Sequence, residues 1–430
     1  MYHINQKEVN RMATKVVKSS FSASKEDIDK LFACNRIAAM IWNASLEISK
    51  SYALANGGKW ISKSGLYKAL KNLYPLHSQS VQMVADKYLD ARDAAHAAIL
   101  KGYKNKYPWR RKKNFNTQWK DKAFSFDFEK NVLSLSLGIW DGKRQQGICL
   151  KLPKNIMAKI NEIMSLNKDA ISQIELCYDN GLMLCIIYDD GKQSPENIGF
   201  PETVGVDLGE IHSIAACATN GNSIIITGRK LRSINRLRNK TLASISKAQA
   251  KCTKGSRRWK KLQRKKRYIL SKSKHQVAYK THEITKNFVD WCLENKVGKV
   301  FCGNPEGVQR NTSGRKKKNR TKNKKKIRNR KTSQKLSNWN FGKIKDCLKY
   351  KLANVGIEFE GISEAYSSQT CPICGQRHKT NSRNYKCSCG YHAHRDVHGA
   401  HNILSLGLNG HFDKVCDFEK QKTKYLRLAA

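Results

Sequence analysis

A chain of 430 residues that carries 82 Lys and Arg against 34 Asp and Glu, a formal net charge of +48, repels itself unless polyanion neutralises it, so nucleic acid is the expected partner. Its 40% apolar content supplies real cores and excludes wholesale disorder. No run approaches the ~18 continuous apolar residues of a membrane span, and the length argues for about two to four domains.

The start, Met1-Tyr2-His3-Ile4-Asn5-Gln6, has no apolar signal core. Apart from one cluster, the cysteines are scattered singly, most of them through apolar or helical stretches, and read as reduced thiols. Thr14 to Phe21 alternates as a short strand. Ser22 to Asp27 then starts a helix with acids in its first turn, and the periodicity of Ile28, Leu31, Ile37, Ile41, Trp42 and Leu46 continues it. Further helices are predicted from Ser64 to Leu73 and from about Ser80 to Leu100.

The stretch from Lys101 to Phe115 interleaves cations with aromatics. Tyr103, Lys104, Trp109, Arg110 and Arg111 suit an RNA or DNA contact, with rings for bases and charges for phosphates. The alternative is a solvated loop pinned to the core by its rings. Period-two runs at Phe124 to Phe128 and Val132 to Leu137, and a hairpin pairing Gln173 to Tyr178 with Leu182 to Tyr188 across Asp179-Asn180-Gly181, suggest with the first strand a small antiparallel barrel interrupted by the helices. Gly191 to Pro201 reads as the linker.

Beyond it, the apolar run Val204-Gly205-Val206 presents Asp207 at a strand tip, and strands follow at Ser213 to Ala218 and Ser223 to Thr227. The acid-free region around Arg229 to Lys274 is a long basic helix pair; Arg236, Arg257, Arg258, Lys260 and Arg264 are candidate backbone contacts for a heteroduplex. Glu306 follows a second apolar run, Val300-Phe301-Cys302. The basic tract Arg310 to Lys335, with Arg315 and Lys316, reads as a loop that orders on nucleic acid; a localisation signal or a nonspecific tail has the same composition. A helix through about Asn354 and a strand from Ile357 to Ile362 come next.

Cys371-x-x-Cys374 and Cys387-x-Cys389, each pair followed by a turning glycine, suit a closed and therefore structural Zn²⁺ site. His378, His392 and His394 are alternative ligands for the irregular second pair, and a disulfide is the competing reading. Asp396 follows, the single acid between Glu364 and Asp413. Asp207, Glu306 and Asp396 offer oxygen ligands that suit two Mg²⁺ or Mn²⁺ ions and phosphodiester hydrolysis; taken singly, each is an ordinary turn acid.

Asp207-Leu208-Gly209, Glu306 after its strand, Ser367-Ser368-Gln369-Thr370-Cys371-Pro372-x-Cys374-Gly375 and His394-Arg395-Asp396-x-x-Gly399-Ala400-x-Asn402-Ile403 resemble the split RuvC nuclease domain and zinc ribbon of the transposon-encoded TnpB proteins and the compact type V CRISPR effectors. The likeness covers about the last half of the chain with specific motifs. It implies an α+β multidomain chain: an RNase H-like (RuvC) nuclease with an inserted zinc ribbon, and an N-terminal β-barrel-like wedge domain interrupted by a helical recognition bundle. The expected boundaries are 1–22 and 106–195 for the wedge, 23–105 for the recognition helices, 196–366 and 392–408 for the nuclease, 367–391 for the zinc ribbon, and 409–430 for a C-terminal tail.

The implied activity is RNA-guided cleavage of both strands of duplex DNA beside a short adjacent motif, with a transposon-derived or CRISPR guide RNA and without a membrane, in the prokaryotic cytoplasm near the nucleoid. Arg395 would steady phosphate charge, or serve as an ordinary surface cation. The competing classes are a catalytically silent RNA-guided repressor and a strand-transferring transposase.

Overall fold

The computed structural model describes residues 15–189, 191, 195–305, 330–380, 382–416 and 422–428. The chain divides into two units, Met1–Gln193 and Ser194–Ala430.

In the first unit, strand β1 (Lys15–Ser19) leads to helix α1 (Lys25–Ala55), whose N-cap Ser24 accepts a hydrogen bond from the Asp27 amide while Glu26 and Asp27 sit in the positively polarised first turn. Helices α2 (Lys63–Leu70) and α3 (Ser78–Leu100) follow. α2 stops short of the expected Leu73 because Asn72 adopts a left-handed φ of 59°, which a helix cannot accommodate. Then come β2 (Thr117–Lys120), β3 (Phe124–Asp127), β4 (Val132–Leu135), β5 (Ile139–Trp140), β6 (Lys143–Arg144), β7 (Ile148–Lys151), α4 (Lys154–Leu166), β8 (Ile171–Tyr178) and β9 (Leu182–Tyr188). Helix α4 was not anticipated, although Pro153 precedes it and Met157, Ile160 and Ile163 recur at helical spacing and are buried. Sheets β1-β9-β8-β2, β3-β4-β7 and β5-β6 form. The first two share one apolar core with α1–α4, in which Trp119, Tyr88, Leu31 and Leu133 are wholly buried.

The second unit runs β10 (Glu202–Asp207), β11 (His212–Ala218), β12 (Asn222–Thr227), α5 (Arg229–Ala250), α6 (Arg257–Glu294), β13 (Val297–Asn304), α7 (Arg330–Ser337), α8 (Phe341–Ala353), β14 (Glu358–Ser363), β15 (Asn384–Lys386), β16 (His392–His394), α9 (Arg395–Asn409) and β17 (Lys422–Leu426). The sheet order is β14-β13-β10-β11-β12-β17. β10, β11 and β12 are an antiparallel meander, β13 and β14 run parallel to β10, and β17 runs parallel to β12.

Alternation along β11 sorts the layers. Ile214, Ala216 and Ala218 face a core shared with Val277, Ile284 and Phe288 of α6 and Leu348 of α8, whereas Ala215 and Cys217 face Val397 and Ala400 of α9. On the α9 side of β10 lies Gly205, where a Cβ would stand 2.2 Å from the Ala400 carbonyl oxygen and 2.4 Å from the Leu404 nitrogen. Only glycine lets α9 rest directly on the central strand.

The stretch expected as a C-terminal tail, 409–430, carries a strand. Lys422–Leu426 is the edge strand of this sheet, fastened by a 2.7 Å contact between the Ser223 and Thr423 hydroxyls. Its sequence, Lys-Thr-Lys-Tyr-Leu, is too polar and too exposed to announce a strand. No helix among the described residues is long and apolar enough to cross a membrane.

Candidate functional site

Asp207 is the last residue of β10, in the middle of the sheet, and its Oδ2 lies 3.0 Å from where a Cβ on Gly399 of α9 would stand. A side chain at 399 would press on that carboxylate. Asp396 is the second residue of α9, and its own amide donates to Nδ1 of the N-cap His394 at 3.3 Å. The two acids, 189 positions apart in sequence, thus reach the same edge of the sheet (396 − 207).

Glu306 lies outside the described residues. The strand leading to it, β13, ends at Asn304. Glu364 comes to this edge instead: β14 pairs Ser363 with Asn304, and the next residue turns Oε2 to within 2.8 Å of the Cβ position of Gly303. That oxygen is buried and has no hydrogen-bond partner among the described residues, as is also true of Asn304 Oδ1. Glu364 satisfies the rule that picks out Asp207, an acid directly after a strand. What hides it is that its neighbour in space depends on strand order.

Burial, and then the negative charges of Asp396 and Glu364, push the Asp207 carboxyl up to about 8, with Arg395 opposing. Burial alone pushes Glu364 up to about 7. Asp396 is different. Burial raises it too, but a hydrogen bond from His212 and electrostatic attraction to His212, His394 and Arg395 together hold it below the usual carboxylate range. His212 Nδ1 lies 2.6 Å from Asp396 Oδ2, and Arg395 Nε lies 3.6 Å from Oδ1. Three carboxylates beside an amide oxygen, two of the four carrying unpartnered buried oxygens, form an oxygen-only donor set that fits Mg²⁺ or Mn²⁺. His212, His394 and Asp396 also bring ligand atoms within 4.8 Å of one another, yet Nδ1 of each imidazole is already engaged with Asp396.

A carboxyl held protonated by the fold has a sign that can be checked. Free Asp and Glu titrate near 3.9 and 4.3, so between about pH 4 and pH 8 the metal-free folded chain binds more protons at Asp207 and Glu364 than the unfolded chain does. Its stability is therefore expected to fall as pH rises through that window. Melting curves from pH 5 to 8.5 should show a steeper loss in the wild-type chain than in an Asp207→Asn, Glu364→Gln variant, with Ca²⁺ restoring most at the alkaline end. Equal slopes would deny that these two carboxyls hold protons.

The thiols of Cys371, Cys374, Cys387 and Cys389 lie within 4.8 Å of one another, with 3.6 Å between Cys371 and Cys389 and 3.4 Å between Cys374 and Cys387. A tetrahedral zinc with Zn–S bonds of about 2.3 Å has sulfurs about 3.8 Å apart, and a disulfide about 2 Å. All four thiols are free. The alternative histidines have other partners: His378 Nε2 contacts the Lys386 carbonyl at 2.6 Å, His392 lies 3.5 Å from the Gly390 carbonyl, and His394 caps α9. Backbone hydrogen bonding at Cys389 draws the Cys387 thiol down to about 6, which readies it as a thiolate ligand.

The aromatic and basic loop divides its rings between packing and exposure. Tyr107 packs on Trp60 with ring centroids 4.9 Å apart, and Phe115 packs on Trp42 at 5.0 Å. Tyr103 and Trp109 remain 55% and 60% exposed, beside exposed Lys104 and Arg110. Arg111 is exposed as well, and it pairs with Glu47. Arg257, Arg258, Lys260 and Arg264 are exposed on α6. Arg236 of α5 joins Arg229, Arg232 and Lys240 along a groove of about 780 Å³. Arg315 and Lys316 lie outside the described residues.

Residues 341–403 match the family model described as "Cas12f1-like, TNB domain", and residues 192–309 match that of a probable transposase, OrfB_IS605. The chain is similar to the TnpB proteins and the compact type V effectors. Among solved structures, the Cas12f1 chain of a Cas12f1–sgRNA–target DNA complex superposes with a TM-score of 0.61 at 17% identity, over 89% of this chain and 83% of that one. The mini-RNA-guided endonuclease CRISPR-Cas_phi3 gives 0.48 at 11%, over 90% and 91%. No curated protein matches. The likeness to Cas12f1 shows an α+β fold shared with that effector, and the TNB-domain match spans α8, β14, the cysteine cluster and the start of α9.

Proposed function

We propose that this chain is an RNA-guided DNA endonuclease that cuts both strands of a duplex in one metal-dependent RuvC-like site. The observation that carries the reading is the meeting of Asp207, Asp396 and Glu364 at one sheet edge, with an unpartnered buried carboxylate oxygen between strands. Strands β14-β13-β10-β11-β12, with only β11 reversed, have the order expected of an RNase H-like nuclease. Mg²⁺ held by these carboxylates, with Glu306 as a further acid of the set, would supply Lewis acidity for phosphodiester hydrolysis.

The chain's own groups do the rest. Asp396 stays ionised beside His212, whereas burial raises Asp207 and Glu364, so that a bound cation would compete with protons on those two carboxyls. Arg395 holds a positive charge beside Asp396, where a phosphate would sit. The cations of α5 and α6, Arg315, Lys316, Tyr103 and Trp109 would hold guide RNA and the heteroduplex. The sheets of the first unit would form the wedge and α1–α3 the recognition bundle, reading a short duplex motif; a structural Zn²⁺ in the four thiols would complete the ribbon.

The test uses the purified chain with the RNA that accompanies it and a duplex matching that RNA. Double-strand breaks with Mg²⁺ and none with EDTA are expected. Binding without cleavage in either buffer would make it a silent repressor, and joined ends would make it a transposase.

A further inference from the structure

We infer that His212 and Tyr425 form a positioning pair for Asp396, which makes the edge strand β17 a working part of the active site. The inference rests on the metal-dependent reading above and deepens it. Every residue of β11 is buried, and His212 is only 3% exposed. A polar ring so placed is costly unless its nitrogens are satisfied. Both are: Nδ1 lies 2.6 Å from Asp396 Oδ2, and Nε2 lies 3.2 Å from the Tyr425 hydroxyl. The tyrosine ring meets the imidazole edge-on, with centroids 5.6 Å apart.

The carboxylate can only accept, so Nδ1 carries a proton aimed at it, and the Tyr425 hydroxyl braces the opposite nitrogen. One oxygen of Asp396 is thereby pinned from β11 while the other faces Arg395. An acid in the first turn of a helix otherwise rotates freely about its side-chain bonds, and a metal ligand that must be ordered on binding binds more weakly. Tyr425 is in turn fixed by the parallel pairing of β17 with β12, by the Ser223 and Thr423 hydroxyls, and by Lys424 Nζ, 3.2 Å from Glu294.

The test compares wild type, His212→Ala, His212→Asn and Tyr425→Phe, each as the full chain with its RNA. Mn²⁺ uptake is followed by electron paramagnetic resonance, together with the Mg²⁺ needed for half-maximal cleavage and the rate at saturating Mg²⁺. Asn places an N–H close to the position of the Nδ1 proton. His212→Ala is expected to weaken Mn²⁺ uptake about 10–100-fold and to raise the half-saturating Mg²⁺ by a similar factor. His212→Asn should recover most of that loss, and Tyr425→Phe should shift both in the same direction by a smaller factor. Wild-type uptake by His212→Ala, or an equal loss in Ala and Asn with lowered melting temperatures, overturns the positioning role. A wild-type chain that takes up no Mn²⁺ overturns the metal reading itself.

Discussion

Asp207→Asn is expected to lower the cleavage rate at least a thousand-fold, about 4 kcal/mol at 1.36 kcal/mol per decade, and to leave RNA and DNA binding intact. The residue ends a strand in the middle of the sheet: it pairs with Ala215 of β11, and Val206 before it pairs with Cys302 of β13, so its position is set by the sheet. Asn keeps that shape and removes the charge. The stability change should run the other way from a structural defect. Asp207 is pushed up to about 8 by burial and by Asp396 and Glu364, so at pH 8.5 and without metal its ionised form strains the fold, and the amide should melt higher than the acid. Cleavage time courses and metal-free melts on the same preparations check both halves. A variant that cuts within tenfold of wild type would remove Asp207 from the reaction. Glu364→Gln should fall about as far as Asp207→Asn, and measuring Glu306→Gln beside it checks whether that acid belongs to the set as well.

Two of the three acids at this edge are legible in the sequence because their signals are local. Asp207 follows an apolar run and precedes a turn, and Asp396 follows the cysteine cluster at a helix start. Ser24 marks the start of α1 by the same kind of short-range chemistry. Glu364 sits after a strand too, but its meaning depends on β14 lying beside β13, which no local pattern states. His212 left a faint trace, an imidazole heading a strand otherwise built of Ser, Ile, Ala and Cys. Its partner left none, because Tyr425 belongs to a polar edge strand whose residues pair only through the backbone of β12. In the loop before β2, alternation of rings and cations is visible, but which rings face inward is decided by Trp42 and Trp60, more than forty residues upstream.

With the proposed Zn²⁺ in the four thiols, its removal is expected to lower cleavage at least a hundred-fold even with Mg²⁺ in excess, because the cluster holds more than itself. Its ribbon has little else to fold around: β15 and β16 are three residues each, and the local core is Cys371, Tyr385 and Tyr391. A structural zinc contributes about 10–16 kcal/mol of apparent binding energy near pH 7, which here becomes folding energy of the ribbon. Tyr385 stacks on His398 of α9 at 3.9 Å, and the Asn402 amide of the same helix donates to the Ser367 and Thr370 carbonyls at 2.7 Å each, in the segment entering the cluster. α9 begins directly where β16 ends, one residue before Asp396. Loss of the ribbon therefore frees the start of that helix and the carboxylate on it. Chelation followed by Mg²⁺ should leave cleavage down at least a hundred-fold, about 2.7 kcal/mol, and Zn²⁺ should restore it. Cys374→Ser should give the same loss, lower the melting temperature and reduce zinc from one per chain, as counted by elemental analysis. A chelated chain that still cuts once Mg²⁺ returns would show that Asp396 is held without the ribbon, by α9 and His212 alone.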